Sequence, residues 1–81
     1  MKVVVKLFAG TRELVGRAEV EVEIRENSSV GLLRKSLLEQ YPALGPLLPH
    51  TMFAINSKYA TDEMLLPANS EVACIPPVSG G

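Results

Sequence analysis

The sequence is poor in the residues that most enzyme chemistry uses. Its 81 residues include one cysteine (Cys74), one histidine (His50) and no tryptophan. A lone cysteine excludes an internal disulfide framework and leaves the redox compartment open. His50 lies in a proline-rich stretch with no cysteine or carboxylate beside it, so it reads as an exposed loop side chain. No apolar run approaches the roughly 20 residues that a membrane span needs. The amino terminus, Met1-Lys2 and a short β-branched run, lacks the small-residue cleavage site of a secretory signal. Charge of one sign does not accumulate: eight Lys+Arg against nine Asp+Glu give a net charge of −1. That balance excludes the basic face of a dedicated nucleic-acid binder. A cytoplasmic protein with neither a nucleic-acid nor a membrane partner is the expectation.

Catalytic constellations are missing as well. There is no glycine-rich phosphate loop. The alternating Glu19, Glu21 and Glu23 resemble a metal comb, but they are what the wet side of a strand looks like, and no metal site is expected. Cys74 falls inside an apolar strand, where a free thiol is commonly buried, and nothing near it in the sequence lowers its pKa.

What is present is a core. Hydrophobic residues make up 47% and charged residues 21%, a balance that folds, and the length allows a single domain. Val3 to Phe8 is rich in β-branched and aromatic residues and predicts a strand, with Val3, Val5 and Leu7 on one face and Val4, Lys6 and Phe8 on the other. Thr11 to Leu14 has room for one helical turn before Gly16. Ala18 to Arg25 alternates, placing Ala18, Val20, Val22 and Ile24 toward a core, and completes an N-terminal hairpin.

The period then changes. Val30, Leu33, Leu37 and Tyr41 share a helical stripe with Leu38 beside it, after an N-cap at Ser28 or Ser29. Pro42 ends that helix near residue 40. Residues 42–51 form a connecting loop. Met52 to Asn56 is a third strand, Asn56-Ser57-Lys58 a turn, and Tyr59 starts a short return strand. Asp62 to Leu66 is expected to form another helical turn, Pro67 to Ser70 a turn, and Glu71 to Ile75 the last strand. The order β-β-α-β-(β)-β is that of an α+β, β-grasp or ubiquitin-like domain, with first and last strands parallel at the centre of a mixed sheet of four to five strands and one main helix on one face. Residues 1–75 make the domain and 76–81 an extended tail.

With no active site in the body, chemistry falls to that tail, Pro76-Pro77-Val78-Ser79-Gly80-Gly81. The prolines favour an extended, partly stiff segment. Six residues reach at most about 20 Å, enough to thread a carboxylate into a partner's buried site. Glycines without Cβ atoms let a narrow channel close around the backbone. A carboxylate becomes electrophilic once adenylated, and the acyl-adenylate can accept sulfur to give a thiocarboxylate.

The stretch from Glu71 to Gly81 (EVACIPPVSGG) resembles the ending of the MoaD family, the small subunit of molybdopterin synthase. Leu7-Phe8-Ala9, Arg12-Glu13-Leu14-Val15-Gly16, Tyr41-Pro42-Ala43-Leu44 and Ala54-Ile55-Asn56 support the resemblance in the right order. Cys74 departs from it, standing where the family more often has a larger apolar residue. The resemblance implies a sulfur carrier of molybdenum cofactor biosynthesis with no catalytic groups of its own, acting as a sulfur transferase only together with a large subunit. An E1-like enzyme would adenylate Gly81, so AMP and then sulfur would sit there transiently, and a sulfurtransferase would supply the sulfur. The tail, Pro76 to Gly80, would thread into the large subunit of a heterotetramer, where cyclic pyranopterin monophosphate becomes the dithiolene of molybdopterin. Strand parity puts Phe8 and Ile75 on the open sheet face, with Tyr59 able to join them and Arg12 at the rim, and the resemblance implies partner contacts at these four. Alternatives are a carrier for thiamine synthesis or tRNA thiolation, a ubiquitin-like protein modifier, and an interaction module with an irrelevant terminus.

Overall fold

Strand alternation lays down the sheet. In a computed structural model, which describes residues 1–77, β1 (Lys2–Leu7) buries Val3, Val5 and Leu7 and exposes Lys2, Val4 and Lys6. β2 (Glu19–Glu23) buries Val20 and Val22 and exposes its glutamates. Their antiparallel register, Val3 opposite Val22 and Val5 opposite Val20, stacks β-branched pairs on one dry face. β3 (Met52–Ile55), β4 (Lys58–Ala60) and β5 (Val72–Ile75) complete a five-stranded sheet in the order β2-β1-β5-β3-β4. β1 and β5 run parallel at its centre, Leu7 opposite Cys74, as the β-grasp reading expects.

The helical stripe covers the dry face. α2 (Val30–Gln40) starts at Ser29, whose Oγ accepts the Leu32 amide at 3.2 Å. Val30, Leu33 and Leu37 are fully buried and join Leu44, Leu48, Phe53 and Val72 in the core. Truncating one such leucine to alanine costs about 2–5 kcal/mol. Leu38, one position beyond the stripe, is 43% exposed and faces away from the sheet. Tyr41 is partly buried at the helix end, where its amide bonds the Leu37 carbonyl (2.7 Å) and Pro42 follows. Residues 42–51 hold two single 3-10 turns, Pro42–Leu44 and Leu48–His50.

Three expectations are corrected. Residues 9–15 form more than one turn: α1 (Ala9–Val15) is a seven-residue helix, closed by Gly16 in the left-handed region at φ 80°, so β1 and β2 are joined by a helix rather than by a loop with a single turn. Ala18 is exposed, because β2 begins only at Glu19; its carbonyl still receives the Leu7 amide. Asp62 to Leu66 is not helical. The Asp62 and Met64 carbonyls instead accept the Gly31 and Val30 amides (2.9 and 2.8 Å). These are first-turn donors of α2 that have no partner inside their own helix, and a single hydrogen-bonded turn, closed by the Met64 amide on the Thr61 carbonyl (3.1 Å), can serve them where a continuing helix would turn its carbonyls along its own axis.

Arg34 clamps the back of the domain. Its Nη1 donates to the Leu48 and Thr51 carbonyls at 2.6 Å each, and its Nε and Nη2 reach the Asp62 carboxylate at 3.3 and 2.8 Å. Its guanidinium carbon lies 4.9 Å from the centre of the Phe53 ring. One side chain thus ties α2 to the loop, to β3 and to the segment that caps α2.

Candidate functional site

Among the described residues no helix covers the sheet face opposite α2, and its side chains are those that strand parity turns outward. Ala54 of β3 lies opposite Ala73 of β5 on one side and Tyr59 of β4 on the other. Two small residues in adjacent strands leave a depression of about 280 Å³, walled by Phe8, Tyr59, Ile75, Ser57 and Glu71. Phe8 is 49% and Tyr59 64% exposed, and Ile75 is half-buried. Three apolar walls around a floor of alanines form a patch that gains by burial against a partner.

Each wall is held by a local device. Phe8 follows β1, and its amide donates to Thr11 Oγ1 (3.2 Å) while that hydroxyl donates back to the Phe8 carbonyl (2.7 Å). The chain turns sharply here, with Ala9 at φ 50°. Tyr59 is placed by the β3–β4 turn, in which Asn56 and Ser57 both take positive φ (50° and 71°), the mark of a two-residue hairpin that matches strand twist. The Asn56 amide donates to the Glu71 carbonyl (2.9 Å) and its Oδ1 accepts the Glu71 amide (3.0 Å), which fixes the entry of β5. Ile75 ends β5 opposite Met52.

The structure therefore brings Phe8, Tyr59 and Ile75 around one depression. Arg12 does not reach it. It lines a neighbouring hollow of about 310 Å³ with Lys6, Phe8, Ala18 and Glu19, so Phe8 is the wall between the two. Lys6 spans toward Glu71 at 3.4 Å; both are largely exposed, and a pair so solvated contributes little. Pro76 is buried and Pro77 exposed, so the chain leaves the domain beside this patch. Val78, Ser79, Gly80 and Gly81 lie outside the described residues.

The body offers little reactive chemistry. His50 is exposed at the end of the second 3-10 turn. Cys74 is buried, and burial pushes its thiol up to about 12, partly opposed by the Arg34 charge. A buried thiol in that state is a poor nucleophile at neutral pH. Among the described residues no group of three potential metal ligands comes together, and no helix is long and apolar enough to cross a membrane.

Sequence reading missed Ala54, Ala73 and Met52 as parts of this face, and buried Thr11 as the support of Phe8. Strand parity could have found Ala54, Ala73 and Met52 once β5 was known to lie between β1 and β3. Thr11 leaves no such signal, since nothing local shows a hydroxyl folding back on the residue three before it.

Comparison with known proteins settles the grouping. The model of the family described as ThiS matches residues 5–81. The chain belongs to the ThiS family. The resemblance to molybdopterin synthase small subunits is borne out by full-length relatives: the molybdopterin synthase sulfur carrier subunit of Caenorhabditis elegans is 37% identical over 79 residues, covering 95% of this chain and 94% of that protein. Small archaeal modifier protein 1 of Haloferax volcanii is 33% identical, covering 94% of this chain and 97% of its own length. The crystal structure of that modifier superposes over all of both chains with a TM-score of 0.84. This ThiS-family chain also matches, at 21% identity and a TM-score of 0.69 over all of both chains, a chain in the complex of subunits 1 and 2 of molybdopterin-converting factor from Helicobacter pylori. At that identity the match shows a shared fold.

Proposed function

We propose that this chain is the sulfur carrier subunit of a molybdopterin synthase. The observation that carries the reading is end-to-end similarity to the Caenorhabditis elegans sulfur carrier subunit in a chain whose body holds no reactive cluster among its described residues. Residues 1–75 are the recognition body and 76–81 the reactive arm. The Gly81 carboxylate attacks the α-phosphate of ATP within an E1-like enzyme, giving a glycyl adenylate and pyrophosphate. Sulfur delivered by a sulfurtransferase displaces AMP, leaving a thiocarboxylate. In the large subunit that sulfur is transferred to cyclic pyranopterin monophosphate, water takes its place at the carbonyl carbon, and Gly81 returns as a carboxylate. Two such transfers make the dithiolene. AMP and sulfur are transient passengers of Gly81. Phe8, Tyr59 and Ile75, with Arg12 beside them, form the docking face from which Pro76 to Gly80 lead into the partner.

The test is reconstitution. The thiocarboxylate form, mixed with a large subunit and cyclic pyranopterin monophosphate, should yield the dithiolene and return a terminal carboxylate by intact mass. Chain lacking Gly81 should yield none. Loading without dithiolene formation would move the reading to thiamine synthesis or tRNA thiolation.

A second reading, a protein modifier joined through Gly81 to lysines, is favoured by the likeness to the Haloferax modifier. It expects conjugates of higher mass in cells, whereas the carrier expects free chain with one oxygen exchanged for sulfur.

A further inference from the structure

β2 is an edge strand, and an edge strand presents unpaired backbone donors and acceptors to any strand that reaches it. The pairing with β1 settles which groups those are. The Ala18 carbonyl receives the Leu7 amide (2.8 Å), and Ile24 exchanges both its backbone bonds with Met1 (2.9 and 2.6 Å). The even-numbered positions therefore turn their amides and carbonyls toward β1, and Glu19, Glu21 and Glu23 turn theirs outward.

That outward row is partly filled from within the chain. Gln40, the last residue of α2, accepts the Glu23 amide on Oε1 (3.3 Å) and donates from Nε2 to the Glu23 carbonyl (3.1 Å). The pair of bonds copies what a neighbouring strand would make. One residue on, the Tyr41 hydroxyl donates to the Glu21 carbonyl at 2.8 Å. Each of the three glutamates offers one amide and one carbonyl, six groups in all, and these two side chains occupy three of them. Pro42 ends the helix at this point, which holds Gln40 and Tyr41 against the strand.

Charge acts in the same sense. All three exposed side chains of β2 are glutamates, so a second β2 laid alongside would set carboxylates against carboxylates. The opposite edge of the sheet is guarded by brevity, since β4 spans only Lys58–Ala60.

The geometry points to Gln40 and Tyr41 as a latch that closes the β2 edge to strand addition, above all by the β2 of a second copy of this chain. The latch keeps the carrier single and leaves the open sheet face and the tail as its surfaces of contact. It stands independently of which sulfur or modifier pathway the chain serves.

Gln40→Met and Tyr41→Phe keep the size of both side chains and remove all three bonds. In sedimentation equilibrium of the full chain, the double variant is expected to self-associate roughly tenfold more tightly than wild type, the worth of about one hydrogen bond. Adding Glu21→Gln should tighten it further. In Gln40→Met alone, the Glu23 amide should exchange with solvent roughly tenfold faster while the β1 and β5 amides keep their rates. A double variant that sediments as wild type does would overturn the latch. So would a loss of protection spread evenly over the sheet, which marks general loosening instead.

Discussion

Thr11 and Phe8 are joined by two hydrogen bonds through one buried hydroxyl: the Phe8 amide donates to Oγ1 at 3.2 Å, and Oγ1 donates to the Phe8 carbonyl at 2.7 Å. An exposed aromatic on the open sheet face is thus aimed by a side chain that is itself fully buried. Thr11→Val keeps the shape and removes both bonds. It is expected to cost about 1–3 kcal/mol, read from urea unfolding as a lower midpoint with an unchanged slope. Thr11→Ser keeps the hydroxyl and should lose less.

Arg34 should prove a larger support than its ion pair suggests. Asp62 is half exposed, so Asp62→Asn is expected to cost only about 0.5 kcal/mol. Arg34→Met also strips the donors from the Leu48 and Thr51 carbonyls, and charged hydrogen bonds are worth about 1.5–3 kcal/mol each. Thermal unfolding of the two variants separates these contributions. Equal losses would mean that the ion pair, not the loop carbonyls, matters.

Cys74 gives the stability curve an alkaline slope. Its thiol is raised from 9.0 to about 12 by burial. Between those values the unfolded chain has released the proton and the folded chain still holds it. The contribution is therefore complete below pH 9.0 and declines toward pH 12, by up to about 1.4 kcal/mol per pH unit. Denaturation at pH 8 and pH 10 should show Cys74→Ala losing less between the two than wild type does. The native thiol should also resist a disulfide reagent at neutral pH until the chain unfolds.

Phe8→Ala and Tyr59→Ala separate docking from folding. Both rings are about half exposed or more, so stability should change by less than about 1 kcal/mol. Affinity for a large synthase subunit should fall by roughly tenfold or more, as for anchor residues at interface centres. Unchanged affinity in titration calorimetry would remove this face from the docking role.

Asn56→Ala addresses the turn that sets Tyr59. It removes the Oδ1 acceptor of the Glu71 amide and puts alanine at φ 50°, together costing about 2 kcal/mol. Amide exchange should loosen at β3, β4 and β5 before β1 and β2.

Much of the fold was legible because one face of each main element is dry. Period two in β1 and β2 and the stripe of Val30, Leu33 and Leu37 are local patterns, and they led to the right order of strands and main helix and to the parallel central pair. Expectation failed where partners lay far along the chain. Residues 62–66 (Asp-Glu-Met-Leu-Leu) suggest a helical turn, yet the carbonyls of Asp62 and Met64 cap a helix some thirty residues earlier. Residues 9–15 became a helix closed by Gly16 and resting on the later loop; a Cβ on Gly10 would come within 2.6 Å of Leu47.

The sequence by itself determined the β-grasp order, the buried Cys74, the outward parity of Phe8 and the Pro-Pro-Val-Ser-Gly-Gly ending, since each follows from local periodicity or from the residues themselves. Only the tertiary structure decided that Phe8, Tyr59 and Ile75 surround one floor of alanines, that Arg12 stands outside it, and that Gln40 and Tyr41 occupy part of the edge of β2. Those relations depend on strand order, which chain-distant backbone hydrogen bonds set, and on how α2 lies across the sheet, which the burial of its apolar stripe sets.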